Sequence, residues 1–291
     1  MVKKKIKILI TGKNGQLARA ILNTLKNKYH LISYSKKEIN INRKKDLSKL
    51  SLKNTSIIIN TAAYNDVEKS EKNNKLANET NFLALKNLKN ICDNNNIFLI
   101  HFSSDYVFDG KKKSYKEYNK TNPLNKYGKS KVKGEKFLMN SKLHNFLIIR
   151  ISWVYSNIGN NFYTKILKLF KKKKDIKVVN DQFGVPTSTK FITLYLDKVI
   201  NQINKNKKMS KIYHLTPNGK TSWYKFSLLI SKLFYKRQSN QMERVKIIPI
   251  KSNFYKKAKR PLCSVLNSKK IQRKFNIKFR NWEYYFMKEF R

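Results

Sequence analysis

Residues Thr11-Gly12-Lys13-Asn14-Gly15-Gln16-Leu17-Ala18 constrain the fold of this 291-residue chain more than any other segment. They follow a short apolar run, Ile6 to Ile10, broken only by Lys7. They lead into Leu17, Ile21, Leu22 and Leu25, apolar positions at helical spacing. Strand, glycine turn and helix in that order open a nucleotide-binding βαβ unit. Gly12 and Gly15 would let the backbone approach a pyrophosphate, and the N-terminus of the helix would offer it free N–H groups. Ala18 stands where a small residue packs helix against strand.

Glycine scarcity strengthens this reading. At about 7% usage a chain of this length would hold roughly twenty glycines, whereas this one has 8. Most of them lie in the segments singled out for chemistry or tight turns, which is where backbone geometry requires them. Further strands are expected at Lys5–Ile10, His30–Tyr34, Ser56–Asn60, Ile97–Ser103 and Phe146–Ile151. Helices are expected near Gln16–Asn27, Asp46–Leu50, Lys75–Asn94 and Lys126–Met139. This alternation predicts an α/β fold, a Rossmann-type doubly wound parallel sheet. After Tyr155 the rhythm changes: helices near Phe162–Lys172, Lys190–Ile203 and Trp223–Tyr235, with short strands at Ile212–Thr216 and Val245–Ile250. Residues 1–155 are thus expected to form a dinucleotide-binding domain. Residues 156–291 would be mostly a smaller C-terminal lobe for substrate, packed against the first with interleaved boundaries, since no linker rich in Gly, Pro or Ser separates them.

Tyr127-Gly128-Lys129-Ser130-Lys131 carries the candidate chemistry. Tyrosine and lysine four residues apart share a helical face. A phenol with an ordinary pKa of about 10 is a poor acid near neutrality, and a neighbouring ammonium would lower that pKa and let the pair pass a proton. Ser104, at the end of the apolar run some twenty residues upstream, could hold a carbonyl oxygen. A helix that merely happens to carry Tyr and Lys is the plainer alternative in so lysine-rich a chain.

The formal net charge of +48 would ordinarily suggest nucleic acid. Here lysine is spread along the whole chain and accompanied by abundant Asn and Ile, the residues of A/T-rich codons. The runs Lys111 to Lys113 and Lys171 to Lys174 lack the interleaved aromatics of a stacking platform, so no specific nucleic acid partner is expected. No run reaches the roughly 18 apolar residues of a membrane helix, and the apolar part of Met1 to Ile10 is too short for a signal peptide. Cys92 and Cys263 belong to no motif, which fits a reducing cytoplasm. His30, His101, His144 and His214 have no metal-ligand spacing, so no metal is expected.

Beyond these features, the chain resembles the extended short-chain dehydrogenase/reductases, and within them the dTDP-4-dehydrorhamnose reductase family. The resemblance rests on Gly12 to Leu17, Asn60-Thr61-Ala62-Ala63-Tyr64-Asn65-Asp66-Val67-Glu68-Lys69-Ser70-Glu71 and Ser103-Ser104-Asp105-Tyr106-Val107-Phe108-Asp109-Gly110. It continues through Pro123 to Gly128, Arg150 to Tyr155, Val179 to Gly184 and Arg260-Pro261, in one order from about residue 5 to 280. It implies reduction of a 4-keto dTDP-sugar by a nicotinamide cofactor, with Tyr127 giving the proton, Lys131 lowering its pKa and binding the nicotinamide ribose, and Ser104 holding the keto oxygen where the family commonly has threonine. It also implies that Gly15, Gln16 and Leu17 cover the pyrophosphate and that Ala62, Ala63 and Tyr64 line the cofactor further along. Trp153 would be a wall for the sugar, with Val67 and Asp105 near it, and Gln182 and Phe183 would face the nucleotide. Plain core packing is the alternative for Trp153 and Phe183.

Some members of that family are dimers bridged by magnesium through glutamates. The matching places here are Ala20 and Lys190, neither able to ligate Mg²⁺, which leaves a homodimer open and no metal expected. Two rival readings are a non-catalytic subunit like the regulatory partner of methionine adenosyltransferase, and an epimerase or dehydratase on the same scaffold. Retention of Ser104, Tyr127 and Lys131 argues against the first. Asp105-Tyr106 in place of a paired Asp-Glu argues against the second. The second strand runs into Ser35-Lys36-Lys37 rather than an acid, with Asn40 shortly after, so NADPH is expected to be preferred, NADH still being accepted. Glu38 complicates that expectation, since its carboxylate could reach the ribose.

Overall fold

The computed structural model describes residues 5–143, 145–205, 211–236, 244–254 and 258–290. His144 and residues 1–4 lie outside them. In chain order the elements are β1 (Lys7–Thr11), α1 (Gln16–Leu25), β2 (His30–Tyr34), α2 (Lys44–Leu47), β3 (Thr55–Asn60), α3 (Val67–Lys72), α4 (Asn74–Asn78), a π-helical turn (Glu79–Leu83), α5 (Ala84–Asn94), β4 (Phe98–Ser104), α6 (Lys126–Met139) and β5 (Phe146–Ile151). There follow β6 (Val154–Tyr155), α7 (Phe162–Phe170), β7 (Asp175–Val179), β8 (Phe183–Gly184), β9 (Thr187–Ser188), α8 (Thr189–Asn204), β10 (Ile212–His214), β11 (Thr221–Ser222), α9 (Trp223–Lys236), β12 (Lys246–Ile250), α10 (Lys269–Phe275) and α11 (Trp282–Phe290).

Six strands form one sheet in the order β10-β5-β4-β3-β1-β2, parallel throughout. Its central strands are buried on both faces, as near-continuous Ile and Leu runs demand. Ile8, Ile10, Ile57 and Ile59 face α1 and α8, whereas Leu9, Ile58, Leu99 and Ile148 pack with Leu85 and Leu88 of α5 and Leu138 of α6. The doubly wound sheet is the predicted fold. Because β2 and β3 flank β1, the order reverses there, and the crevice beyond the carboxyl ends of β1 and β3 is the topological switch point.

The sheet takes its sixth strand, β10, from residues 212–214, and α8 packs on α1 in the main core. The chain after residue 155 therefore contributes to the sheet as well as to its own aromatic cluster, which gathers Tyr155, Ile166, Phe170, Phe226, Trp282 and Phe286. Three short strand pairs, β6 with β9, β8 with β11 and β7 with β12, tie this lobe together. The expected single helix near Lys75–Asn94 is instead α4, a π turn and α5.

Candidate active site

The glycine turn stands at the switch point. Gly12 has φ +78°, and a Cβ there would come within 2.9 Å of the Ala62 nitrogen, so only glycine lets β1's exit approach the end of β3. The Gly15 N–H donates to the Gly12 carbonyl at 2.8 Å, and Gly15 caps α1 without a side-chain partner for the helix's first N–H groups. A tight turn, a bare helix N-terminus and the switch-point crevice fit a bound pyrophosphate. The side chains of Gln16 and Leu17 do other work. Gln16 donates to the Val154 carbonyl at 3.2 Å and accepts from Ser156 Oγ and Asn161 Nδ2, both at 3.0 Å, which ties the turn to β6 and the lobe. Leu17 is in the core.

At the end of β2, Ser35 is buried, Lys36 is exposed and Asn40 accepts from Asn42 N–H through its side chain. Glu38 occupies this corner. Its carboxylate accepts from Ser35 N–H at 2.7 Å and lies 3.3 Å from Lys13 Nζ, and the Ser35 backbone and side chain, with Lys13, lower its pKa to about 2. Beyond β3, Ala62 and Tyr64 are half-buried and Ala63 exposed. Asn81 of the π turn clamps this segment: it accepts from Tyr64 N–H at 2.9 Å and donates to the Tyr64 carbonyl at 3.0 Å and to Ser130 Oγ at 2.9 Å. Gly134 of α6 makes room, since a Cβ would meet the Asn81 carbonyl at 2.6 Å. No sequence pattern announced Asn81.

Helix α6 delivers Tyr127 and Lys131. Asn125 caps it by accepting from Gly128 N–H at 2.8 Å. Gly128 brings its first turn onto the backbone after β4, where a Cβ would stand 2.2 Å from the Tyr106 carbonyl oxygen. That approach brings the Tyr127 phenol near enough to Ser104 for the serine hydroxyl to act on its pKa. Burial raises the Tyr127 pKa well above 10 and the Ser104 hydroxyl opposes it only in part, so the phenol is held protonated. The expected lowering by Lys131 is not among the influences on Tyr127. Lys131 is itself buried, its pKa lowered to about 8 by desolvation against the pull of Glu135. It donates to the Phe102 carbonyl at 2.7 Å and meets His101 Nε2 at 3.2 Å.

Ser104 Oγ donates to Asp105 Oδ1 at 3.0 Å and accepts from Tyr106 N–H. Asp105 is buried and its other oxygen accepts from Ser152 Oγ at 3.0 Å. Next to Ser152, Trp153 adopts φ +44°, a strained conformation for so bulky a residue. Its indole lies parallel on that of Trp223, with centroids 3.4 Å apart. Gly184 sits beneath the ring. Gln182 is buried and Phe183 half-buried, and residues 262–264 run alongside them: Phe183 N–H donates to the Leu262 carbonyl and Ser264 N–H to the Phe183 carbonyl. Arg260 pairs at 2.9 Å with Glu68, the residue after the half-buried Val67 at the start of α3. Ser104, Asp105, Tyr127 and Trp153 thus belong to one neighbourhood, bordered by the 260–264 segment.

Among the described residues no group of three or more His, Cys, Asp or Glu could hold a metal ion, and no helix is long and apolar enough to cross a membrane. Ala20 belongs to α1, and Lys190 places its ammonium 3.9 Å from Glu289.

Comparison with known proteins agrees with this geometry. The family model described as "RmlD substrate binding domain" matches residues 6–289. The dTDP-4-dehydrorhamnose reductase of Sinorhizobium fredii is 31% identical over 284 residues, 96% of this chain and 94% of the relative, and that of Salmonella typhimurium is 31% identical over 95% and 94%. A Bacillus anthracis dTDP-4-dehydrorhamnose reductase crystallised in complex with NADP superposes with a TM-score of 0.89 at 29% identity, covering 99% of both chains. A Clostridium acetobutylicum dTDP-4-dehydrorhamnose reductase gives 0.87 at 34% identity over 98% of each. The chain belongs to the RmlD family of dTDP-4-dehydrorhamnose reductases.

Proposed function

We propose that this protein is an NADPH-dependent reductase that converts the 4-keto group of dTDP-4-dehydro-L-rhamnose to the alcohol of dTDP-L-rhamnose. The observation that carries it is the seating of the first turn of α6, with Tyr127 and then Lys131, on the backbone just after Ser104 at the carboxyl end of β4, beside the switch-point crevice. A ketone reduction needs a proton donor that holds its proton at the start, as a phenol does near neutral pH.

The nicotinamide, when bound, supplies the hydride to C4. The turn Gly12 to Gly15 and the first N–H groups of α1 would hold the pyrophosphate, and Ala62 to Tyr64, fixed by Asn81, would line the cofactor beyond it. Ser104, whose hydroxyl donates to Asp105 in the free site, would turn that one proton to the keto oxygen on substrate binding and so fix the oxygen close to Tyr127. As negative charge develops on the oxygen, Tyr127 gives it the phenolic proton, and Lys131 on the same helical face would, in the fraction that carries its own proton, stabilise the phenolate left behind. Trp153, rigid through its stack on Trp223, would wall the sugar ring, with Val67 and Asp105 close by. Gln182 and Phe183 would face the nucleotide. The residues after 155 serve chiefly as the substrate lobe.

Purified protein mixed with dTDP-4-dehydro-L-rhamnose and NADPH should lose the absorbance of the reduced nicotinamide and yield dTDP-L-rhamnose. No oxidation at any salt concentration, with cofactor binding intact, would sink this reading in favour of a non-catalytic subunit.

A further inference from the structure

The buried polar chain behind Lys131 has a direction, and the direction decides a protonation state. Asn60 Oδ1 accepts from Thr11 Oγ1 at 2.7 Å and from Ala62 N–H at 3.2 Å. The backbone N–H can only donate, so the Asn60 amide cannot be flipped. Its Nδ2 therefore faces His101 Nδ1, 3.1 Å away, and donates to it. His101 is buried and burial drives its pKa well below 6.5, so the ring is neutral. With Nδ1 accepting, the single ring proton is on Nε2. That N–H points at Lys131 Nζ, 3.2 Å away. An ammonium there would set donor against donor, whereas a neutral amine accepts from Nε2–H and still donates to the Phe102 carbonyl.

We propose that His101 is a positioning residue for catalysis which, through the tautomer imposed by Asn60, depresses the proton affinity of Lys131. The proposal rests on the reductase reading for its consequence in turnover but not for the tautomer itself. Burial pushes the lysine the same way. The other titratable or charged groups around it are few. Tyr127 and Glu135 share its helix, and Glu135 is engaged by Arg150 of β5 at 2.9 and 2.6 Å. The α3 carboxylates of Glu71 and Glu68 are taken at the start of α6 and by Arg260. Asp105, after β4, acts on Tyr127 and Tyr106. The π turn offers the neutral Asn81. His101 is thus the group that meets the amine directly, and it places the lysine's titration within reach of neutral pH, so that the cation which stabilises the Tyr127 phenolate is present in a pH-dependent fraction.

Two variants reverse the polarity by separate routes. His101→Gln can present a carbonyl oxygen where Nε2–H stood. Asn60→Asp keeps the imidazole but replaces the donor with an acceptor, which moves the ring proton to Nδ1 and turns the Nε2 lone pair towards Lys131. Both should raise the alkaline limb of the kcat/KM profile by at least about half a pH unit, whereas a merely structural histidine would lower activity at every pH and leave the limb in place. The tautomer is read directly, without turnover, by long-range proton–nitrogen NMR of the protein with NADP bound: wild type should show Nε2–H and Asn60→Asp Nδ1–H. An Nδ1–H signal in wild type, or an unmoved limb in both variants, overturns the proposal. Absence of turnover in wild type would overturn the reductase reading alone, and the NMR tautomer would still decide this one.

Discussion

Gly184 lies directly under the indole of Trp153: a Cβ on residue 184 would come within 2.3 Å of Trp153 Cε2. Trp223 stacks in parallel on the same indole, so the ring is held by a backbone and an aromatic neighbour. The strained φ of Trp153 is the cost of presenting the ring there. Gly184→Ala must push the indole aside. We expect the KM for the sugar nucleotide to rise and kcat/KM to fall by about 10–100-fold, while NADPH affinity, measured by fluorescence titration, stays near wild type. An unchanged KM would show that the indole does not meet the sugar and belongs to the packing of the lobe.

Tyr127→Phe keeps the ring and its packing against Tyr106 but removes the proton. Turnover should fall by roughly 10²–10⁴ with cofactor binding intact. Lys131→Met should lose turnover and cofactor affinity together, as the double role proposed for the lysine requires. A wild-type rate in Tyr127→Phe would remove the phenol from the mechanism.

The parts of this site written as contiguous motifs were legible from the chain alone. Gly12, Gly15, Ser104, Tyr127 and Lys131 sit at fixed offsets from strand and helix signals, because backbone geometry and a helical face fix them locally. Less legible were contacts made across long sequence distances. Asn81 reaches Tyr64 and Ser130, Gly184 meets Trp153, and Gln16 turns its side chain to residues 154–161 instead of outward. Nothing local marks them. His101 was visible only as a histidine without ligand spacing, since the tautomer proposed for it depends on Asn60, a residue of the neighbouring strand. The boundary at residue 155 blurs for the same reason: β10 enters the sheet from residues 212–214, and a three-residue strand carries little periodicity.

Asp105 makes a prediction about pH and stability. Burial raises its carboxyl pKa to about 6, with hydrogen bonds from Ser264, Ser152 and Ser104 opposing only in part. A folded-state pKa above the unfolded one means that the folded protein holds this proton more tightly. The stabilisation is full below the unfolded value and is lost as pH rises through the folded one. Wild type should therefore lose ground to Asp105→Asn between about pH 4 and pH 7, by on the order of 2–3 kcal/mol. Thermal unfolding of both proteins across that range checks it, and a constant difference in Tm would show that the carboxyl is not held protonated.

Cofactor choice turns on Glu38. NAD-specific folds place an acid at the end of the second strand, where it accepts from the ribose 2′-hydroxyl. In this chain that strand is followed by Ser35, Lys36 and Lys37, which favour a 2′-phosphate, yet Glu38 folds back to the same corner and is held by Ser35 N–H and Lys13. Its low pKa keeps the carboxylate charged at every working pH. The corner therefore offers ammonium groups to a phosphate and a carboxylate to a hydroxyl, and both cofactors should be used, NADPH the better. Glu38→Gln removes the repulsion and frees Lys13 from its partner. We expect the ratio of kcat/KM for NADPH over NADH to rise about 3–10-fold, the size of one exposed charge interaction, and to rise chiefly through KM. The gain should shrink at high salt, where exposed charges are screened. A ratio that does not move would place Glu38 out of reach of the ribose, and a ratio that falls would mean that Lys13 needs its carboxylate partner to meet the phosphate.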